Sequence, residues 1–484
     1  MARTGEAMRF LVLTLLLCGC TVGPEYVQPT PNPPQRWHAQ AELAEPATAD
    51  LPQQSDPINT ARPWWTLFGD PVLDVLINDA LAQGFSVRQA TTRISAARAE
   101  RSALQAGMLP SVSAGFGASR QENVFPGLPN QQDFSLFDAG FDARWELDVF
   151  GRTARRVEAA DARIEALEAT QDAARLALAA EVARTYWTLR TDERRLALLD
   201  EQLSLAEEWH RLQTRRLTAG AATRNDVLMT EVRSEQVRAQ QAPLQGAITV
   251  ARRQLELLLV RQPGELDARL ARPTPGVKLV PVAAVLETPA EVIAQRPDIR
   301  RAERELAAAT AMKRAAMADR YPRISLGLLV GLANTSIGSL FTGPSQALLA
   351  GGQLVAPVFD GGRLRAAVDM SDAAVAEASL AYEETALTAL HEVEMNLSRV
   401  MAAERQQQNL IRAAALARES VAIAARRYAQ GAADRLELVS ARFTATEAER
   451  QVAAAEGEVR TSLVALCKAL GVGIAPTPNV GQNL

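Results

Sequence analysis

Ligand residues are scarce in this 484-residue chain: three histidines, His38, His210 and His391, and three cysteines, Cys18, Cys20 and Cys467. No histidine stands near another, so zinc, haem and iron–sulfur centres, which need clustered His or Cys, are not expected. A dominant charge is missing too. Lys+Arg number 52 and Asp+Glu 56, a net charge of −4 with no basic block, which excludes an electrostatic grip on nucleic acid. Enzyme signatures are absent: there is no Gly-x-x-x-x-Gly-Lys-Ser/Thr, no Gly-x-Ser-x-Gly and no carboxylate pair beside a histidine. Glu207-Glu208-Trp209-His210 reads as the solvated face of a charged helix, and Gly351-Gly352 and Gly361-Gly362 bracket a strand rather than cradle a phosphate. Aromatics are only 5% of a chain that is 48% hydrophobic and rich in alanine, a balance that favours long, closely packed helices.

At the N-terminus, Arg3 and Arg9 precede an apolar run from Phe10 to Leu17. Eight residues are too few to span a bilayer, which takes about 20, so residues 1–19 are expected to be a secretory signal. Its end, Leu17-Cys18-Gly19-Cys20, resembles a bacterial lipobox that would lipidate Cys20; an ordinary signal with an incidental cysteine is the alternative. With Cys20 blocked, Cys467 has no disulfide partner and reads as a buried, inert thiol in Leu463-Val464-Ala465-Leu466-Cys467.

The chain is written twice. Val87-Arg88-Gln89-Ala90 answers to Ile299-Arg300-Arg301-Ala302, and Leu109-Pro110 to Tyr321-Pro322. Farther on, Phe150-Gly151-Arg152 recurs around Gly361-Gly362-Arg363, and Arg216-Leu217-Thr218-Ala219-Gly220-Ala221-Ala222 as Arg427-Tyr428-Ala429-Gln430-Gly431-Ala432-Ala433. Repeat 1 is expected over 70–260 and repeat 2 over 290–470, after a segment at 20–69, with a linker at 261–289 and a tail at 471–484.

Each half reads as helix, two strands, very long helix, turn, helix. Asp70-Pro71 opens the first helix as cap and first residue, and that helix is expected to run unbroken to about Met108. Coiled-coil spacing then marks long helices over 153–219 and 364–430, each a rod of roughly 100 Å at 1.5 Å per residue. Gly220 and Gly431 end the rods where a left-handed cap is wanted. Shorter helices return over 224–260 and 435–470. The four strands are expected at 111–120, 137–149, 323–332 and 347–359. The second is the sharpest: Phe137, Ala139, Phe141, Ala143, Trp145, Leu147 and Val149 alternate with Asp138, Gly140, Asp142, Arg144, Glu146 and Asp148. Ten residues suffice for a membrane β-strand. Four strands cannot close a barrel and an open edge is not tolerated in lipid, so three copies would supply twelve.

The segments Trp64-Trp65-Thr66-Leu67-Phe68-Gly69-Asp70-Pro71, Arg296-Pro297-Asp298-Ile299-Arg300-Arg301-Ala302-Glu303, Tyr321-Pro322-Arg323-Ile324-Ser325, Gly361-Gly362-Arg363 and Cys20-Thr21-Val22-Gly23-Pro24-Glu25-Tyr26 together resemble the TolC-like outer membrane efflux factors, in their NodT-type lipoprotein branch. The resemblance implies a mixed α/β membrane protein: a homotrimeric channel-tunnel with a 12-stranded β-barrel in the outer membrane and a 12-helix coiled-coil barrel in the periplasm. It also implies a periplasmic adaptor and an inner-membrane resistance-nodulation-division transporter as partners, no cofactor and no catalysis. The hairpin tips at Gly220 and Gly431 become the docking end. Asp226 and Glu437, with Arg224, Arg435 and Tyr428 beside them, become candidates for a gate; equally, the two acids could be first-turn carboxylates suited to the helix dipole. Ser440 and Ala433 depart from charged positions of some members. An efflux duct, a type I protein-secretion duct and a non-porous lipid-anchored scaffold remain the readings to separate.

Overall fold

A computed structural model describes residues 22–30, 33–39, 63–121, 134–271, 288–471 and 473. The expected signal, Cys20, most of the loop between the first two strands, most of the linker and most of the tail lie outside these residues.

The order is α1 (Pro71–Gln83), α2 (Phe85–Ala106), β1 (Ser111–Gln121), β2 (Phe134–Leu147), α3 (Arg152–Thr218), α4 (Arg224–Leu258) and a single turn α5 (Asp267–Leu270). Then come α6 (Pro289–Gln295), α7 (Pro297–Ala318), β3 (Arg323–Asn334), β4 (Gln346–Val355), α8 (Arg363–Ala429) and α9 (Arg435–Leu470). Both long helices have 67 residues. Among the described residues no helix is long and apolar enough to cross a membrane.

The first expected helix is not continuous. It breaks at Gly84, and its counterpart in repeat 2 breaks at Arg296, with nearly the same backbone angles. In repeat 2 the cause is Pro297, which disfavours helical angles in the residue before it. In repeat 1 there is no proline. A Cβ on Gly84 would sit 2.5 Å from Leu178 Cδ2 and 2.7 Å from the Ala80 carbonyl oxygen, so close packing demands glycine there. The second strand also ends early. Asp148 leaves the sheet, and its carboxylate accepts from Thr153 N (3.0 Å) and Ala154 N (2.7 Å) at the start of α3. Asp360 does the same for Gly362 N and Leu364 N at α8, so β4 stops at Val355 rather than 359. Both aspartates satisfy orphan donors of a helix start.

The described residues form two compact units. One holds 22–30, 92–121, 134–168 and 301–384, and with them the sheet; the other holds 33–39, 63–91, 169–271, 288–300, 385–471 and 473. The sheet is an antiparallel meander, β1-β2-β3-β4. Gly140 and Gly331 face each other where strands approach too closely for any side chain: a Cβ on Gly331 would lie 2.4 Å from the Ala139 oxygen. The second unit has an aromatic core. Trp64, Trp65 and Phe68 pack with Trp187 and Tyr186, ring centroids 5.2–6.3 Å apart, over Leu73, Leu76, Leu255 and Leu466. Asp70, fully buried, fixes this corner: Oδ1 accepts from Val72 N and Leu73 N, and Oδ2 from the Tyr186 hydroxyl at 2.6 Å.

Candidate functional site

Among the described residues two places stand out, the sheet and a pair of helix turns. The first is the sheet. Residues directly opposite in an antiparallel pair share a face, so the register sorts every strand residue. One face stacks Val112–Ala143–Leu328–Ala350, Ala114–Phe141–Val330–Leu348, Trp145–Leu326 and Leu147–Ile324–Leu354. Large and small apolar side chains alternate along it, and Phe116, Phe141, Val112 and Leu348 are each more than 60% exposed. The other face stacks Ser111–Arg144–Gly327–Gly351, Ser113–Asp142–Leu329–Leu349, Gly117–Asp138–Ala333 and Glu146–Ser325–Gln353. Arg144 pairs with Asp142 (2.8 Å) and Glu146 with Arg152 (2.7 Å). A sheet that is greasy on one side and charged on the other, with no described helix covering the greasy side, is built to stand between hydrocarbon and water.

The second place is the pair of helix turns after α3 and α8. Their backbones are copies. Gly220 and Gly431 both have φ +71°, the left-handed value that favours glycine. In both, the N–H after the glycine reaches the carbonyl five residues back, Ala221 to Arg216 and Ala432 to Arg427, each at 2.8 Å. This is the two-bond closure that ends helices at a left-handed residue. The following helix is capped by Thr223 in one copy and Asp434 in the other.

Side chains differ between the copies. The Asp226 carboxylate accepts from Thr223 N and Oγ1, both 2.8 Å, closing a capping box. These hydrogen bonds, from the Thr223 backbone first and its hydroxyl second, hold its pKa below the usual carboxylate range. Glu437 accepts from Arg427 at 2.6 Å. Arg435 does not turn to either acid. It pairs with Glu208 on α3 at 2.7 Å and lies 5.8 Å from the Tyr428 ring. Arg224 makes no ion pair among the described residues. Residues that sequence reasoning passed over complete the network: Arg216 reaches Asp434 at 2.9 Å, and Arg233 lies between the rings of Trp209 (4.5 Å) and Phe443 (5.1 Å). A signal existed. Arg216 and Arg427 head the repeated segment, so the duplication marked both.

The duplication also decides identity. The model of the outer membrane efflux protein family matches two stretches of the chain, 76–260 and 288–472. The chain belongs to that family. Nodulation protein T of Rhizobium leguminosarum bv. viciae is 29% identical over 94% of this chain and 90% of its own length. Outer membrane protein OprJ of Pseudomonas aeruginosa is 30% identical over 96% of this chain and 95% of its own. Among solved structures, the outer-membrane channel OprN superposes with a TM-score of 0.82 at 31% identity, covering 94% of this chain and 99% of that one. As an outer membrane efflux protein, the chain is an exit duct, and its sheet is the part made for the outer membrane.

Proposed function

We propose that three copies join edge to edge into a twelve-stranded barrel continued by a helical tube, the passive exit duct of a tripartite efflux pump. One observation carries this reading. The four-stranded meander ends in two strands, β1 and β4, each paired on one side only among the described residues. A paired edge is obligatory in hydrocarbon, and the two faces already assign lipid and lumen. Small molecules would pass through without chemistry, driven by an inner-membrane transporter of the resistance-nodulation-division type and coupled through a periplasmic adaptor at the helix turns. Cys20 would carry the lipid anchor.

At the turns, Asp226 belongs to its own cap, while the cross-hairpin pairs Arg216–Asp434 and Glu208–Arg435 fasten one hairpin to the other and are the better gate candidates. The assembly test is chemical cross-linking of outer-membrane extracts with unheated and heated electrophoresis: a heat-modifiable trimer is expected, and a persistent monomer would refute the barrel. Function is then read from a deletion strain, which should gain sensitivity to small toxic compounds while retaining protein secretion; the reverse pattern would favour a secretion duct.

A further inference from the structure

Within the second unit the long helices stand side by side, and polar bridges give their order. Arg238 and Arg252 of α4 pair with Glu207 and Glu193 of α3 at 3.0 and 2.8 Å. Gln202 and Arg216 of α3 reach Glu447 of α9 and its cap Asp434 at 3.2 and 2.9 Å. Arg418 of α8 pairs with Glu449 of α9 at 2.7 Å. The row is therefore α4-α3-α9-α8. As in the sheet, the two repeats meet at the centre and each supplies one outer member. No large apolar side chain of α3 or α9 is exposed, but both outer helices carry several. On α4, Leu228, Val232, Val250 and Leu257 are 42–68% exposed and, at about 100° per residue, share one stripe. The buried Thr230, Val237, Ile248 and Leu255 lie on the opposite side of that helix. On α8, Leu387, Met395, Leu416 and Ile423 form a second exposed stripe, opposite the buried Ala389, Val393 and Val400. A helix that is apolar on two opposite sides needs two neighbours. The row supplies one to each outer helix, and the other stripe is left to water at a cost.

We infer that the missing neighbour is a second copy of this chain, with α8 of one copy packed antiparallel on α4 of the next, so that three rows close into one ring. The inference rests on the trimeric duct and names the helix surfaces that meet in it. Charge agrees. Glu231, which makes no ion pair among the described residues, lies in the groove beside Leu228 and Val232. Arg405 and Arg412 lie along the α8 stripe, and neither makes an ion pair among the described residues. The duplicated turns set the register. Trp209, eleven residues before Gly220, meets Phe443, twelve after Gly431, with ring centroids 6.2 Å apart, so the two turns stand level. Counted the same way, Leu228 and Ile423 are each eight residues from their glycines, and Leu257 and Met395 are 37 and 36. Leu228 of one copy therefore meets Ile423 of the next near the turns, and Leu257 meets Met395 farther along.

The test places cysteine pairs in the full-length protein in its own membranes: Leu228→Cys with Ile423→Cys, and Leu257→Cys with Met395→Cys. Oxidation by copper phenanthroline should give disulfide-linked dimers and trimers on non-reducing gels, at least tenfold more than any of the four single variants gives. The off-level pair, Leu228→Cys with Met395→Cys, should link no better than the singles. Glutaraldehyde must still trap each variant as trimers. Trimers in which neither level pair links, or in which the off-level pair links equally well, would overturn the seam and leave the duct standing; the two stripes would then belong to a partner of another kind. Wild-type protein found only as monomers would overturn the duct itself.

Discussion

Asp70 is the sharpest place to perturb this molecule, because one buried carboxylate serves three donors in two elements. Removing it by Asp70→Ala takes the cap from α1, worth about 1 kcal/mol. It also removes the acceptor of the Tyr186 hydroxyl proton inside an aromatic core, worth about 1–3 kcal/mol. The total, about 2–4 kcal/mol, corresponds to roughly 30- to 700-fold faster opening of α1 at about 1.4 kcal/mol per decade. Asp70→Asn keeps a cap oxygen and gives up only the carboxylate acceptor of Tyr186, which should cost about 1 kcal/mol. Tyr186→Phe deletes the hydroxyl that loses its acceptor, so in that background Asp70→Ala should cost only the cap, a coupling of about 1–3 kcal/mol between the two sites. Global melting of a membrane oligomer is governed by rate, so the suitable assay is hydrogen exchange of the α1 amides followed by mass spectrometry. Exchange within threefold of wild type in Asp70→Ala, or strict additivity in the double variant, would refute the reasoning.

Four further outcomes are expected. Cys467, whose thiol is pushed up to about 12 by burial, should resist maleimide at pH 8 in the native protein and react fully once unfolded. Arg296 is buried and donates to Asp298, Glu392 and the Ala469 carbonyl; Arg296→Leu should destabilise the second unit by about 2–4 kcal/mol, because acceptors lose a buried cation, read by limited proteolysis. Burial raises the Asp298 carboxyl but Arg296 outweighs it and holds the net value below normal, so this pair contributes fully above the ordinary carboxylate pKa near 4 and fades as pH falls below it. The Asp226 carboxylate is engaged by Thr223 within its own turn, so Asp226→Asn should leave channel conductance unchanged between about pH 5 and 7. Arg216→Ala with Arg435→Ala should raise conductance in planar bilayers, and no change would remove these pairs from the gate.

The long elements were legible because their signals are redundant. A 67-residue helix repeats its apolar spacing many times, and alternating strands repeat theirs with every second residue, so no single exception hides them. Breaks and caps rest on one residue each. Pro297 announces its break in the sequence, whereas Gly84 announces nothing: its reason is Leu178, nearly a hundred positions away. Asp148 looked like one more inward charge because alternation continues through it. Only the start of α3 shows that its oxygens are taken by Thr153 and Ala154. At the turns, the resemblance offered Arg224 and Arg435 as partners of the two acids, whereas Asp226 is held by Thr223 and Glu437 by Arg427, since an arginine reaches several carboxylates and packing alone selects one.

The duplicated backbone and the divergent side chains point to a division of labour between the repeats. If both halves still did the same work, Arg216 would hold Asp226 as Arg427 holds Glu437. Instead Asp226 is satisfied within its own turn by Thr223, which releases Arg216 to reach Asp434 in the other hairpin. The substitution that permits this is small: a threonine cap in the first turn where the second has an aspartate. The sheet diverges in the same sense, with the inward charges gathered on β2 and the inward leucines on β3 and β4. Exposed ion pairs are individually weak, about 0–1 kcal/mol, so a gate built from them would be held closed only while several act together. That weakness suits the proposed duct, which would open under the push of a docking partner. Exchanging the caps, Thr223→Asp with Asp434→Thr, should therefore loosen the link between hairpins while leaving each turn folded; the distance distribution between spin labels on Ala221→Cys and Ala432→Cys should broaden, and equal widths with and without the exchange would show that the caps do not direct the pairing.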